Sequence, residues 1–431
     1  MEQIFKEREE FEKVILVGVD LADNRESDFS RSMEELAELA KACFMEPVAI
    51  VTQKMDCVHK GLYIGVGKVQ EVKELAEMLE AELVIFDNSL TPSQLRNLQE
   101  ELKTPVMDRT NLILDIFESR ARTREAKLQV ESARLQYLLP RLVGMHEALT
   151  RQGGTSGSMS SRGAGEKKLE LDRRRIEHRI SELRKELDEV SKERMVQRKK
   201  RQNARIPLVA LVGYTNAGKS TIMNAMVERY VKEEEKKVLE KDMLFATLDT
   251  TVRRMNTGNN RDFLLSDTVG FIHNLPHSLV KAFRSTLEEV KNADLLLQIV
   301  DYSDPFYREQ MKTTKQTLIE LEAGDIPMIT VYNKVDKSED GLFYPEAVGD
   351  DKLYICAKQE ESILLLVEKI LDKIYSDFEE AKFLIPYKEG GVVSYFRENA
   401  QIISQDYEEN GTRLLVRCHK ADKSKYSCYQ I

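Results

Sequence analysis

Cysteine is scarce in this sequence, and long apolar runs are missing. The 431 residues include five cysteines, none of them in a Cys-x-x-Cys pair, which argues against a zinc site and against a disulfide framework. No apolar run approaches the roughly 20 residues that span a bilayer. The first residues, MEQIFKEREEFEK, are charged throughout, unlike a secretion signal. These absences favour a protein of the reducing cytoplasm without a membrane span.

Basic charge is concentrated in one part of the chain. The whole sequence carries a net charge of −9. Residues 119–205, in contrast, contain 23 Lys and Arg against 12 Asp and Glu. A basic block within an acidic protein predicts a polyanion-binding surface on one module only.

The first 110 residues alternate apolar runs with helical patterns. Helical periodicity covers residues 30–43, 68–79 and 91–102. The apolar runs are typical of short buried strands: KVILVGVD, PVAIVTQ, ELVIFD and TPVMDR. This alternation predicts a small α/β domain with a parallel sheet at residues 1–110.

Two long helical patterns follow over residues 111–204. Leu128, Leu135 and Leu142 repeat every seven residues in the first pattern. The second has a comparable seam: Leu169, Ile176, Ile180, Leu183, Leu187 and Val190. Because the stretch at 152–165 is rich in Gly and Ser, we expect an antiparallel coiled-coil hairpin with a flexible tip loop there. An interdomain spacer is the alternative, although a spacer needs neither a glycine-rich tip nor surplus basic charge.

Strand and helix patterns alternate again over residues 205–376. The apolar runs IPLVALVG, DFLLSDT, LLLQIVD, IPMITVYNK and KLYICA predict a mostly parallel sheet with helices on both faces. Residues 377–431 have the pattern strand, helix, strand, turn, strand, and Glu-Asn-Gly is a hairpin signal. The chain is therefore predicted to be a multidomain α/β protein that ends in a small α+β domain.

A phosphate-binding loop follows the strand PLVALV and opens a helical pattern. Its glycines allow backbone N–H groups to surround phosphate oxygens at a helix N-terminus. Lys219 is expected to reach the β and γ phosphates, and Ser220 to bind Mg²⁺. The loop comprises Gly213, Tyr214, Thr215, Asn216, Ala217, Gly218, Lys219, Ser220 and Thr221. This motif predicts a nucleoside triphosphate without naming the base.

A second motif, Asn-Lys-Val-Asp, names the base as guanine. It follows the strand MITVY, and its residues are Asn333, Lys334 and Asp336. A carboxylate at this place can accept both N1–H and the exocyclic amine of guanine, whereas adenine has no such pair of donors. After the last strand, Cys356, Ala357 and Lys358 are expected to back the guanine. The sequence therefore predicts that the bound nucleotides are GTP and GDP.

Two segments between these motifs match nucleotide-dependent switches. Asp267 is expected to hold Mg²⁺ through water, and the Gly270 N–H to bond the γ-phosphate; their motif is Asp267, Thr268, Val269 and Gly270. The first switch is assigned to Phe245, Ala246, Thr247, Leu248 and Asp249. Thr247 is the candidate for the second hydroxyl on Mg²⁺, with Thr250 and Thr251 as competitors. Both loops would be ordered by the γ-phosphate and released on hydrolysis.

Phe271 stands where many such enzymes carry a glutamine that orients the attacking water. The expected catalytic residues are therefore Lys219, Thr247 and Gly270, with no water-orienting side chain at 271. A partner could complete the site, or K⁺ could add charge near the β–γ bridge, with Asn216 as its candidate residue. A turn-forming role is the alternative for Asn216. We expect a Mg²⁺-dependent GTPase whose slow intrinsic rate a partner stimulates.

The motifs GYTNAGKS, LFATLDTT, DTVGFIHNLPHSLVKAFRSTLEEV and NKVD together resemble the HflX family of ribosome-associated GTPases, in the translation-factor class. YIGVGKVQEV and the helical segment around LDRRRIEHRI resemble the same family, so the similarity covers roughly residues 11–375. The resemblance implies binding to RNA and proteins of the large ribosomal subunit. It also implies GTP-dependent splitting of stalled or idle ribosomes.

Four arginines of the basic block are candidate RNA contacts: Arg173, Arg174, Arg175 and Arg179. Contacts between such side chains and phosphates would make ribosome binding sensitive to salt. Local pairing with Glu170, Asp172 or Glu177 is expected to leave about half of them free. A solvated coiled-coil face is the alternative.

Two other functions share these motifs. A ribosome-assembly or RNA-remodelling GTPase would bind immature subunits or free RNA without splitting ribosomes. A GTP-gated scaffold would signal by binding, with little turnover. For the ribosome-splitting function and for both alternatives we expect a monomer. The segment YIGVGKVQEV is interpreted as a turn that enters a helix, with a second nucleotide site as the alternative.

Overall fold

The computed structural model describes residues 11–21, 26–152, 159–203, 206–231, 251–258, 261–272, 289–338 and 344–431. Its contacts divide the chain into two compact units. The described residues up to Lys192 form the first unit, and those from Glu193 form the second. Among the described helices, none combines the length and the apolar character that a bilayer span requires.

The first unit contains the predicted parallel sheet. Its four strands lie in the order β2-β1-β3-β4, and every neighbouring pair is parallel. The strands are β1 (Glu12–Leu21), β2 (Met45–Met55), β3 (Leu83–Phe86) and β4 (Val106–Asp108). The helices are α1 (Glu26–Ala42), α2 (Val66–Leu79), α3 (Pro92–Leu102) and α4 (Arg109–Arg120).

Local signals explain where two of these helices begin. Thr91 and Gln94 form a reciprocal capping box ahead of α3, and Pro92 takes the first helical position. Gly65 precedes α2, and its N–H donates a 2.9 Å hydrogen bond to Gln53 Oε1. This confirms that YIGVGKVQEV is a turn that enters a helix.

Helix α4 extends the first domain beyond residue 110. Leu112, Ile113 and Phe117 are almost fully buried, so the apolar face of α4 belongs to the domain core. Residue 110, the predicted end of the domain, lies inside this helix. The sequence did not reveal this because α4 begins directly after β4, with Asp108 as its N-cap and no intervening loop.

Two long helices, α5 (Arg124–Gln152) and α6 (Met159–Asn203), follow. The Arg179 guanidinium contacts Glu131 Oε1 at 2.8 Å, and Arg124 contacts Glu186 at 3.2 Å. Rising numbers on α5 therefore pair with falling numbers on α6, which is an antiparallel register. Ile180 and Leu183 of the predicted seam are buried.

Helix α6 begins inside the range predicted for the tip loop. We expected a loop over residues 152–165, but α6 begins at Met159 and includes the glycines at 163 and 165. Glycine within a helix costs about 1 kcal/mol relative to alanine. Flanking helical sequence outweighs that amount, so Gly and Ser content overestimated the loop.

The second unit contains a seven-stranded sheet with the order β10-β11-β9-β8-β5-β7-β6. The inner pairs are parallel, whereas β6 and β10 are antiparallel to their neighbours. The strands are β5 (Leu208–Gly213), β6 (Thr251–Met255), β7 (Phe263–Asp267), β8 (Leu295–Asp301), β9 (Met328–Asn333), β10 (Glu346–Val348) and β11 (Lys352–Tyr354). The described helices are α7 (Lys219–Tyr230), α8 (Tyr307–Glu320) and α9 (Glu360–Ile374).

Both faces of this sheet are covered, as predicted. Val209 and Leu211 of β5 pack in one core with residues of α7 and α9. Leu208 and Val212, which point to the opposite face, pack in a second core with Leu318 of α8. The edge strands β6 and β10 were not predicted, because their sequences are short and half-exposed.

The last residues form a three-stranded antiparallel sheet in the order β12-β14-β13. The Glu408–Gly411 pair closes the predicted hairpin. Gly411 has φ +155°, and an added Cβ would lie 2.3 Å from Ile385 O, so the turn requires glycine. The elements are β12 (Phe378–Ile385), α10 (Gly390–Asn399), β13 (Gln401–Glu408), β14 (Gly411–His419) and α11 (Lys420–Lys425), of which α11 was not predicted.

Candidate nucleotide-binding site

The phosphate loop connects β5 to α7 and depends on two of its glycines. Gly213 has φ +146°, and a Cβ there would lie 2.2 Å from Ile299 O. Gly218 has φ +96°, and a Cβ there would lie 2.2 Å from Asn333 Nδ2. Since any larger residue would collide at both places, the loop can follow this path only with glycine.

Lys219, the first residue of α7, turns back over the loop. Its ammonium group donates to Tyr214 O at 2.7 Å and to Gly213 O at 3.1 Å. Burial lowers the pKa of Lys219 to about 8, whereas the nearby Asp267 carboxylate favours the charged form. A phosphate at the loop would add further negative charge and stabilise the ammonium form.

Ser220 and Asp267 meet at the ends of neighbouring elements. Because β7 pairs with β5, Asp267 lies beside Leu211, and the Ser220 hydroxyl donates to Asp267 Oδ2 at 3.0 Å. A hydroxyl and a fully buried carboxylate are oxygen donors of the kind that Mg²⁺ prefers. The two side chains fit the predicted metal role. The predicted first switch, Phe245, Ala246, Thr247, Leu248 and Asp249, lies outside the described residues, as does Thr250.

The second switch is hydrogen-bonded to the phosphate loop. The Phe271 N–H donates to Gly213 O at 3.1 Å, and the Thr215 N–H donates to Phe271 O at 2.9 Å. The Thr268 hydroxyl donates to Leu211 O at 2.6 Å. The Phe271 ring is 2% exposed and packs in the core with Val212. A side chain at position 271 is therefore directed into the protein interior.

Two residues of the guanine motif hold the phosphate loop. Asn333 Nδ2 donates to Ala217 O at 3.0 Å, and Asn333 Oδ1 accepts from the Ala357 N–H at 3.0 Å. Lys334 Nζ donates to Asn216 O and to Asp301 Oδ2, each at 2.8 Å. The loops predicted for phosphate and for base are thus joined by side chains.

The third motif residue, Asp336, lies in a short 3₁₀ turn after β9 and is exposed. Cys356 and Ala357 are buried, and Lys358 is exposed. The Cys356 N–H donates to the Ser362 hydroxyl at 3.2 Å. The structure therefore brings together the predicted residues of both motifs at the carboxyl ends of β5, β7 and β9.

Sequence reasoning missed Asp301, which anchors Lys334. Its signal was present, because an aspartate ends the buried strand LLLQIVD beside the motif strand. It also missed the backbone role of Phe271, for which composition and spacing contain no signal.

The four arginines on α6 form more ion pairs with carboxylates than predicted. Arg173 pairs with Glu177, Arg174 with Glu170 and Arg175 with Asp172, all at exposed positions. Arg179 instead contacts three carboxylates: Glu131, Glu182 and Glu186. We expected about half of these arginines to be free, but each has a carboxylate partner within the described residues.

The site agrees with comparisons to known proteins. Family models match residues 30–118 (GTP-binding GTPase N-terminal), 120–201 (GTP-binding GTPase Middle Region) and 208–334 (50S ribosome-binding GTPase). Fold and site define a P-loop GTPase. GTPase HflX of Alkalihalophilus pseudofirmus is 45% identical over 424 residues, which cover 98% of this chain and 96% of its own. GTPase HflX of Escherichia coli K12 is 36% identical over 406 residues, covering 93% and 92%. The chain belongs to the GTPase HflX family.

Among solved structures, a GTP-binding protein from the hyperthermophilic archaeon Sulfolobus solfataricus, in complex with GDP, covers 84% of this chain and 99% of its own. Its sequence identity is 24%, and its TM-score is 0.44.

Proposed function

We propose that this GTPase binds the large ribosomal subunit and, in its GTP state, splits stalled or idle ribosomes into subunits. The observation that carries the proposal is similarity along nearly the whole chain to GTPase HflX, together with a G domain that matches a 50S ribosome-binding GTPase family. The protein would act in the cytoplasm as a monomer and would be partly ribosome-associated. Its domains would be the α/β domain, the helical hairpin, the G domain at 205–376 and the C-terminal domain at 377–431.

The nucleotide would lie along the phosphate loop between the two motifs. Lys219 would contact the β and γ phosphates, and the Gly270 N–H would bond the γ-phosphate. Asp336 would read guanine, while Cys356, Ala357 and Lys358 would back the base. Ser220 and Thr247 would hold Mg²⁺ directly, and Asp267 would hold it through water. Bound Mg²⁺ would supply charge stabilisation of the transferred phosphoryl group.

Slow intrinsic hydrolysis is expected because the Phe271 ring is buried in the core and cannot reach a water. Ribosome binding would then order the switches and stimulate turnover. K⁺ is a second candidate activator. Asn216 has φ +59°, and its carbonyl already accepts from Lys334. Equal hydrolysis rates in KCl and NaCl, with and without ribosomes, would remove K⁺ from the proposal.

The helical hairpin would supply RNA contacts. Pairs such as Arg173–Glu177 are exposed, and exposed helical ion pairs contribute little to stability. Phosphate can therefore replace the carboxylate partners of Arg173, Arg174 and Arg175 at small cost. Arg179 is the weakest of the four candidates, because three carboxylates surround it.

The decisive experiment compares steady-state GTP hydrolysis by the protein alone and with purified large subunits, in KCl with Mg²⁺. We expect strong stimulation over a slow basal rate. Sedimentation of 70S ribosomes with protein and a nonhydrolysable GTP analogue should then show free subunits. Stimulation without splitting would favour an assembly or RNA-remodelling GTPase. Near-zero turnover with subunits present would favour a GTP-gated scaffold.

A further inference from the structure

Thr215 has a buried hydroxyl group to which none of the described residues is hydrogen-bonded. The residue lies in the middle of the phosphate loop and is 6% exposed. Its hydroxyl oxygen has no hydrogen-bond partner within the part of the chain that the structure describes. Buried polar groups in native proteins are nearly always satisfied. An unsatisfied hydroxyl inside a phosphate loop therefore points to a partner that arrives with the nucleotide.

The surroundings of Thr215 indicate which part of the nucleotide this is. A Cβ added at Gly270 would lie 2.7 Å from Thr215 Cγ2 and 3.0 Å from Lys219 Nζ. Thr215 and Lys219 thus converge on the switch glycine. In phosphate-loop enzymes, the loop lysine contacts the β and γ phosphates. The convergence places Thr215 at the γ-phosphate end of the loop, away from the base.

Among the described residues, the same neighbourhood lacks the usual water-orienting group, because the Phe271 ring is in the core. We propose that Thr215 is a catalytic residue of GTP hydrolysis. Its hydroxyl accepts a hydrogen bond from the attacking water and donates its own hydrogen to a γ-phosphate oxygen. One hydroxyl can do both, since it has one donor and two acceptor lone pairs.

Thr215 begins and ends the reaction as a neutral hydroxyl. The water oxygen bonds to the γ-phosphorus as the bond from that phosphorus to the β–γ bridging oxygen breaks. The electron pair of the broken bond leaves on GDP, and the protons of the water leave with inorganic phosphate. The hydroxyl contributes orientation, which converts an unconstrained encounter into an aligned one.

Packing alone is the competing explanation for a threonine here. The Thr215 backbone is fixed by the bond from its N–H to Phe271 O, and its methyl group faces Gly270. Valine keeps that methyl group and the branched shape but removes the hydroxyl. Serine keeps the hydroxyl and removes the methyl group. The two variants therefore separate the two explanations.

The test is single-turnover GTP hydrolysis without ribosomes, with GDP affinity measured in parallel by fluorescence titration. We expect T215V to hydrolyse GTP at least tenfold more slowly, with GDP affinity within threefold of the wild type. T215S should stay within threefold in both measurements. An unchanged rate in T215V, or an equal loss in T215S and T215V, would overturn the proposal.

A T215V variant that also lost GDP affinity tenfold would indicate a structural role and would equally contradict the catalytic one. The inference rests on GTP hydrolysis alone. Since the assay contains no ribosomes, its failure leaves the ribosomal part of the proposed function standing. Loss of ribosome stimulation in the wild type, conversely, has no effect on the Thr215 result.

Discussion

The side-chain amide of Asn333 donates a 3.0 Å hydrogen bond to the carbonyl oxygen of Ala217. The same amide group accepts from the Ala357 N–H. A residue of the guanine motif thus supports the phosphate loop and the loop after β11 together. All of these groups are buried, so water does not compete for these two hydrogen bonds.

Replacement of Asn333 by alanine should weaken nucleotide binding as a whole. Each buried backbone group left without a partner costs about 1–3 kcal/mol, and Ala217 O and the Ala357 N–H would both lose one. We expect GDP and GTP affinities to fall together, at least tenfold, in a fluorescence titration. Asn410→Ala, at an exposed hairpin position, is the control. Loss of GTP affinity alone would contradict the account.

Asp336→Asn should change which base is preferred. In the proposed site the carboxylate would accept two hydrogen bonds from guanine, and an amide in its place would present a donor to one of those guanine donors. Xanthine carries an oxygen where guanine carries the exocyclic amine, so the amide can pair with it. We expect a loss of GTP affinity of about 100-fold or more, in the range for unpaired groups in a polar site, and a gain for XTP.

The measurement for Asp336→Asn is competition of GTP and XTP against a labelled nucleotide. Phosphate contacts are unchanged in this variant, so XTP hydrolysis should remain measurable. Preserved GTP preference would show that Asp336 does not read the base.

Phe271→Gln should fail to create a faster enzyme. The side chain at 271 points into the core, so a glutamine there would be buried instead of meeting the attacking water. Truncation of a buried phenylalanine to alanine costs about 3–5 kcal/mol, and a buried glutamine would refill part of that volume only by burying an unpaired amide. We expect a lower melting temperature and no increase in the intrinsic hydrolysis rate. Phe271→Leu, which stays apolar, should lose less stability. A faster rate in Phe271→Gln would show that the segment turns outward when GTP binds.

Reversal of Arg173, Arg174 and Arg175 to glutamate should weaken ribosome binding. These arginines are exposed, and their loss removes positive charge that phosphate would neutralise. We expect at least tenfold weaker co-sedimentation with large subunits at moderate salt, with intrinsic GTP hydrolysis unchanged. The pair swap E170R/R174E is the matched control, since it keeps the net charge and the helical pair. Equal binding by the triple variant would refute the contact.

The G domain was predictable because its chemistry requires particular residues. Positions 213 and 218 require glycine because of their positive φ angles and close contacts. Such requirements are visible directly in a sequence motif. The parallel strands were visible as continuous apolar runs because both faces of the sheet are covered. The edge strands β6 and β10 were not visible in this way, because half-exposed edge positions accept many residue types and leave no clear apolar pattern.

Other features depend on contacts between distant residues. The salt bridge from Lys334 to Asp301 and the hydrogen bonds of Phe271 bring together positions far apart in the chain, which periodicity cannot reveal. Residues 159–165 were predicted as loop from their Gly and Ser content, but they belong to α6, because composition reports only local preference. To predict the ion pair between Arg179 and Glu131, one must know the register of α5 against α6, and a count of charges does not provide it.

Phe271 contributes its ring to the core and its backbone to the phosphate loop. Cooperative unfolding of that part of the sheet and opening of the nucleotide site are therefore thermodynamically linked. A ligand that tightens the phosphate loop should also protect the amides of β5 and β7 from hydrogen exchange. Conversely, heat that loosens this core should release the nucleotide before the sheet as a whole unfolds.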